Sequence, residues 1–110
     1  MSFNVIVTTG FKKHVKKIAK KHRSIKLDIA NLVDSLEQYP NQGEPLGKDC
    51  YKVRMSISSK NKGKSGGSRI ITCVKIIRKD VFLLSIYDKS EKEGLSDKDL
   101  DELLKLAGLF

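Results

Sequence analysis

The chain is predicted to fold as a single α+β domain spanning residues 1–110, a small, twisted, mainly antiparallel sheet with an N-terminal helical hairpin and a closing helix, in the order β-α-α-β-β-β-α. Three observations predict it. Apolar residues recur at helical spacing from Phe11 to Leu36, the period switches to alternation after Gly47, and helical spacing returns from Leu100 to Ala107. With 110 residues, there is enough chain for one core and little room for a second.

Asn4 to Thr8 is a β-branched run that reads as the first strand, and Thr9 offers an N-cap ahead of Phe11. Phe11, Val15, Ile18, Ala19 and His22 make a narrow apolar stripe on the first helix, and lysines cover its other faces. A second helix starts after Ser24, carries Ile25, Ile29, Leu32, Val33 and Leu36, and stops at Tyr39 and Pro40 before a loop from Asn41 to Gly47. From Cys50 to Ser58 the chain alternates strictly, sending Tyr51, Val53, Met55 and Ile57 to one face and Lys52, Arg54, Ser56 and Ser58 to the other. Further strands fall at 68–77 and 81–88, joined by a turn at Arg78 to Asp80. The run Phe82 to Ile86 is apolar on both faces, as a central strand requires. Ser96 and Asp99 form a capping-box start for the last helix, whose early acidic residues suit the helix dipole.

The formal charge is +9, and its distribution matters more than its size. Residues 1–79 hold 18 Lys/Arg against 5 Asp/Glu, a balance of +13, whereas residues 80–110 hold 4 against 8, a balance of −4. An acidic partner, nucleic acid or acidic protein, is therefore expected for the first part. Eight cations lie between Lys12 and Lys26, more than solubility needs, so that helix reads as a binding face. Cys50 and Cys73 sit in apolar strand patterns with no C-x-x-C or Cys/His spacing, which argues against structural zinc. No run approaches the ~20 apolar residues of a membrane span, and no leader pattern is seen, so a cytoplasmic protein with reduced thiols is expected.

The segment Lys60 to Ile71, K-N-K-G-K-S-G-G-S-R-I-I, joins Lys60, Lys62, Lys64 and Arg69 to three glycines immediately ahead of a strand. Flexible backbone plus positive charge suits a phosphate-rich ligand, while a solvated hairpin loop is the plainer reading. The coupling to Lys52 and Arg54 favours the ligand, because Arg69 sits inside the next strand and can converge on the same face. Gly63-Lys64-Ser65 is not a nucleotide-binding G-x-x-x-x-G-K-S loop, since the required first glycine falls at Ser58. His14 and His22 suggest acid-base ribonuclease chemistry, but both are read as lying on the lysine-rich helix, away from the strand cations. Tyr87 and Lys89 end the central strand, where a side chain can lean over the sheet.

The element order, the Y-K-V-R strand, the G-K-S-G-G-S-R-I-I segment and the run L-L-S-I-Y-D-K-S-E-K-E together resemble the RelE/ParE superfamily of bacterial toxins, most closely its HigB-like branch. The resemblance is specific from Tyr51 to Leu104 and generic over the first two helices. It implies a RelE-like fold and the toxin of a type II toxin–antitoxin system: a metal-independent endoribonuclease (mRNA interferase), with no cofactor, that cleaves mRNA on the ribosome. The implied partners are a cognate antitoxin, the ribosome and mRNA. By position Lys52 and Arg54 match the basic strand of the active groove, Arg69 the arginine that contacts the scissile phosphate, and Tyr87 and Lys89 the end of the fourth strand. Y-D-K-S-E departs from RelE itself, which places a glycine and consecutive basic residues there.

With these residues, attack of a ribose 2′-hydroxyl on the adjacent phosphate assigns Lys52 as base, its proton loss eased by neighbouring cations, and Arg54 and Arg69 as phosphate stabilisers. Tyr87 or Lys89 is left as proton donor or stacking group. Lys60, Lys62 and Lys64 are expected to bind RNA phosphates, and Lys13, Lys16, Lys17 and Lys20 to dock the antitoxin. A gyrase-directed ParE-like toxin and a non-catalytic nucleic-acid-binding module are the alternatives.

Overall fold

The computed structural model describes residues 2–60, 63, 65–92 and 94–109. Strand β1 (Asn4–Val7) leads into helices α1 (Thr9–Ala19) and α2 (Ile25–Gln38), followed by strands β2 (Glu44–Gly47), β3 (Cys50–Met55), β4 (Ser68–Lys75) and β5 (Asp80–Asp88) and helix α3 (Asp97–Leu106). They form one five-stranded sheet in the order β1-β5-β4-β3-β2, in which β1 runs parallel to β5 and every other pair is antiparallel. The expected α+β architecture is present, with one strand more than the sequence suggested. β2 occupies part of the stretch read as a loop, because Pro45 and Gly47 look like turn residues but are tolerated on a sheet edge, where one row of backbone groups needs no partner.

Local signals set the helices. Thr8, one residue before the expected cap, accepts the Phe11 N–H at 3.3 Å through its hydroxyl. Ser96 and Asp99 complete the capping box of α3, holding the Asp99 carboxyl below its ordinary range through the Ser96 N–H and hydroxyl. Helix α1 ends at Ala19, so His22 lies in the connection to α2 and not on the apolar stripe. The helical hairpin packs Phe11, Ile18, Ile25 and Leu36 against Val53, Met55, Ile70, Val81 and Leu83 on one sheet face. On the other face Leu100 and Leu104 of α3 cover Cys50, Ile71, Cys73, Phe82 and Leu84. β5 is buried along all nine residues, as its two-sided apolar run required.

The phase of β5 is not uniform. Ile71 pairs with Ser85 and Thr72 with Leu83, leaving Leu84 as an extra residue opposite that step. Before it, Val81 and Leu83 face the helical hairpin and Phe82 and Leu84 face α3; after it, Ile86 faces the hairpin and Tyr87 faces α3. Strict alternation would have placed Tyr87 with Val81 and Leu83. One inserted residue therefore moves the whole end of the strand to the opposite phase. β4 also stops short of the expected boundary, at Lys75, leaving Ile76 and Ile77 exposed in the turn to β5.

Two buried carboxylates tie down the segments around this end of the sheet. Asp28 of α2 accepts the Ser58 N–H (3.0 Å), the Ser58 hydroxyl (2.5 Å) and the Ser24 hydroxyl (2.8 Å). Asp88 accepts the Ser90 N–H and hydroxyl at 3.0 and 2.7 Å and Lys60 Nζ at 3.1 Å, and meets His22 Nε2 at 3.0 Å. Burial pushes both carboxyls up, but these hydrogen bonds outweigh it and hold both below the ordinary carboxylate range. Gly67 fixes the start of β4 differently: a Cβ there would stand 2.3 Å from the Met55 carbonyl oxygen, so only glycine lets the two backbones approach.

Two tests follow from these contacts. Because the folded carboxyls titrate below their unfolded value of 3.8, their stabilisation is complete above that pH and is lost as pH falls below it. Asp88→Asn should cost about 3 kcal/mol at neutral pH by leaving Lys60 and His22 without their partner, and should flatten the fall in stability toward pH 3 in denaturant titrations. Gly67→Ala should lower stability by about 1–3 kcal/mol, read as a shifted denaturation midpoint. A neutral effect of either substitution would contradict the corresponding contact.

Candidate functional site

The α3-facing side of the sheet is only partly covered. Beyond Cys50 and Ile71, toward the far end of β3, it carries Lys52, Arg54, Arg69 and Tyr87, and these line a cleft of about 670 Å³ with Gln42, Gly43, Glu44, Val53 and Lys89. All five residues expected to form the reaction site thus border one cavity. Strand pairing puts them there: Arg54 lies directly opposite Arg69, and Arg69 directly opposite Tyr87.

The Arg54–Arg69 pair is the most informative feature of the cleft. The Val74 N–H donates to the Asp49 carbonyl at 2.8 Å, which makes that pair hydrogen-bonded, so by alternation Arg54 and Arg69 occupy a non-hydrogen-bonded pair. Such pairs bring Cα atoms to about 4.5 Å and side chains closest. Like charges directly opposite destabilise a sheet, and an anion between them reverses the sign. Arg69 is 4% exposed and donates through Nη1 to the Ser68 carbonyl at 3.1 Å, so its guanidinium is anchored, while Arg54 is exposed at the rim.

Tyr87 is 7% exposed, and among the described residues its hydroxyl has no hydrogen-bond partner. A buried hydroxyl left unpaired costs on the order of 1–3 kcal/mol, a penalty that a bound ligand can relieve. Lys89 follows on the exposed strand end, its N–H bonded to the Gly67 carbonyl at 3.1 Å. Lys52 Nζ stands 3.2 Å from Glu44 Oε2, so it meets a carboxylate as well as the neighbouring cations. Gly43, at φ +97°, brings the chain within reach of β3, where a Cβ would lie 2.5 Å from the Lys52 carbonyl oxygen; this fixes Glu44 beside Lys52.

The remaining expected contacts divide. Lys60 is turned inward: its Nζ bonds Asp88 and its side chain is 14% exposed, so it is a structural ion-pair partner and not an open phosphate ligand. Lys62 and Lys64 lie outside the described residues. Lys13, Lys16, Lys17 and Lys20 are exposed on or just after α1, and Lys16 and Lys20 border an open, largely apolar depression with Val15, Ala19 and Lys26. The histidines are not remote from the sheet. His14 Nδ1 lies 3.0 Å from Ser85 Oγ and His22 reaches Asp88, both on the last part of β5.

Glu44 and Asp88 escaped the sequence reading. Glu44 lay in a segment without alternation, and nothing before the β2–β3 pairing links it to Lys52. Asp88 had a signal, since an acid between Tyr87 and Lys89 in a basic site calls for a counter-charge. Among the described residues no group of three or more His, Cys, Asp or Glu could hold a metal ion, and no helix is long and apolar enough to cross a membrane. Cys50 and Cys73 are both buried, with no disulfide between them.

Comparison with known proteins gives this geometry a context. The backbone is similar to a free-state mutant of the E. coli toxin RelE, at 18% identity and TM-score 0.63 over 96% of this chain and 97% of that one. It is also similar to a chain of the intact E. coli RelBE toxin–antitoxin complex (17% identity, TM-score 0.61, 79% of this chain and 96% of that chain). A third likeness is to the RelBE2 toxin–antitoxin complex of Mycobacterium tuberculosis (15%, 0.59, 80% and 99%). At such identities the likeness concerns the fold. No curated protein matches the chain in sequence. Residues 10–110, however, match the model of the RelE toxin of the RelE/RelB toxin–antitoxin system, and the chain therefore belongs to that toxin family.

Proposed function

We propose that the chain is a ribosome-dependent mRNA endoribonuclease, held inactive by a cognate antitoxin. The observation that carries the reading is the pair of arginines directly opposite one another in a cleft that also offers a carboxylate, a lysine and a buried tyrosine hydroxyl. Cleavage through the 2′-hydroxyl needs a proton acceptor, charge stabilisation at the phosphorane and a donor to the 5′ oxygen. Arg54 and Arg69 supply the charge, with the buried Arg69 as the preorganised member.

The Glu44–Lys52 contact refines the base. A protonated lysine has no lone pair with which to accept a proton, whereas a carboxylate does, so Glu44 takes the 2′-hydroxyl proton and Lys52 orients it and contacts phosphate. Tyr87 serves as donor or stacking surface, with Lys89 at the exit of the cleft. A gyrase-directed role or simple nucleic-acid binding would leave the Glu44–Lys52–Tyr87 grouping without a task. The antitoxin reading rests on family membership and on the exposed lysines of α1; an acidic, amphipathic segment docking along Lys13, Lys16, Lys17 and Lys20 would block ribosome entry by bulk.

Primer extension on ribosome-bound mRNA tests the activity. Arg69→Ala should lower cleavage on the order of 10²- to 10⁴-fold, while Lys98→Ala on α3 stays near wild type; equal activities would sink the assignment. Glu44→Gln separates the two bases: a loss of comparable size supports the carboxylate, and retained cleavage returns the role to Lys52. Arg54→Thr should reduce cleavage yet raise stability by a few tenths of a kcal/mol, because it removes the cross-strand repulsion. For the partner, reversing Lys13, Lys16, Lys17 and Lys20 to Glu should weaken the antitoxin complex more than tenfold, and an unchanged Kd in a folded variant would exclude α1 as the docking face.

A further inference from the structure

β1 pairs only with residues 80–83 of β5, so among the described residues the last part of that strand has no strand beside it on this edge. Helix α1 and the segment after β5 lie there instead, enclosing a second cleft of about 350 Å³. Its two ends differ electrostatically. At one end Lys21 pairs with Glu91 at 2.5 Å and His22 with Asp88 at 3.0 Å. At the other, Lys17 and Lys92 make no ion pair among the described residues, and between them stands His14. Among the described residues the positive charge of this cleft is thus paired at one end and unpaired at the other.

We propose that the unpaired end binds a phosphate group of the RNA, with Lys17, Lys92 and His14 as its partners. The inference rests on the nuclease reading for the identity of the ligand, but the anion site stands on its own geometry. Ser85 Oγ lies 3.0 Å from His14 Nδ1; with that hydroxyl donating, the neutral ring carries its proton on Nε2, a donor with no partner among the described residues. The imidazole is pushed below its ordinary range first by burial and then by repulsion from Lys92 and Lys17, so both lysines bear on the ring. The cavity falls at the small end of the range for ligand sites. Tyr87 borders both clefts, and Lys92 Nζ sits 5.5 Å from the centre of its ring. A strand whose scissile phosphate lies against Arg54 and Arg69 can therefore place a neighbouring phosphate around the edge of β5, making this a positioning subsite and not part of the bond-breaking machinery.

A bound anion cancels the repulsion and favours the imidazolium, so binding should tighten as pH falls through the His14 transition. The groups facing His14 are Lys17 from its own helix, Ser85 from β5 and Lys92 from the following segment, with Lys21, His22, Asp88 and Glu91 at the far end. The first arm of the test is an NMR titration of the His14 ring with and without sulfate, whose charge is constant in this range. Sulfate should raise the midpoint of His14 by several tenths of a pH unit. The second arm measures binding of a short RNA carrying a 2′-O-methyl group at the cleavage site. Lys17→Ala with Lys92→Ala should weaken it about tenfold and reduce the slope in log salt by about 1.4, roughly 0.7 per lost contact on a single strand. Lys98→Ala with Lys105→Ala on α3 removes the same charge away from this cleft and should change it little.

A silent His14 in sulfate, or equal losses in the two double variants, would overturn the subsite. Failure of wild-type protein to cleave mRNA while His14 responds normally would instead overturn the nuclease reading and leave the anion site standing. If an Asp/Glu-rich peptide shifts His14 as sulfate does and the RNA does not, the cleft belongs to a protein partner and the phosphate assignment falls.

Discussion

The extra residue in β5 is the constraint on which both clefts depend. Side chains on a strand alternate, so a single unpaired residue exchanges the faces of everything beyond it. Leu84 plays that part opposite the Ile71–Thr72 step. Tyr87 is thereby carried to the face of Arg69, and Asp88 is turned toward Lys60 and His22. Without the slip, the tyrosine would point into the helical hairpin, and Asp88 would be set among the cations of the first cleft. The residue that anchors the structure and the residue that borders the site are adjacent in sequence and separated only by this phase change.

The charge distribution follows a consistent division of labour. Cations that the fold requires are paired with buried or half-buried carboxylates, as Lys60 is with Asp88. Arg54 and Arg69, by contrast, are placed directly opposite one another. A repulsive pair on a rigid sheet is a local conflict in an otherwise mutually supportive structure, and such conflicts are expected at functional positions. The two paired carboxylates, Asp28 and Asp88, hold the start of the segment between β3 and β4, at Ser58 and Lys60, against α2 and β5.

The low identity to RelE structures, 15–18%, alongside nearly full coverage of each of those chains, says that this topology is specified by patterning and not by particular residues. What the chain retains is the alternation of β3, the two-sided apolar run of β5 and three amphipathic helices. Such a scaffold presents a half-covered sheet face. In this chain that face carries a carboxylate from the edge strand beside Lys52, a feature set by a four-residue strand that contributes little to the core.

The sequence by itself determined the fold class, the element order apart from β2, and the shared face of Lys52 and Arg54, because helical and alternating periods are local and short-range. It also placed Arg69 at the start of a strand and Tyr87 and Lys89 at the end of another, near enough for a cleft to be expected. Tertiary structure alone decided the rest. Whether Tyr87 faced Arg69 depended on a slip in strand pairing, which leaves no trace in a continuous apolar run. Whether Lys60 was a ligand or an anchor depended on where Asp88 lay, 28 residues away in sequence. The pairing of Glu44 with Lys52 required β2 to be a strand, and the reach of His14 and His22 to β5 required α1 to lie along its open edge. Each of these is a contact between segments whose separate patterns are indifferent to one another, so only the packed chain could fix them.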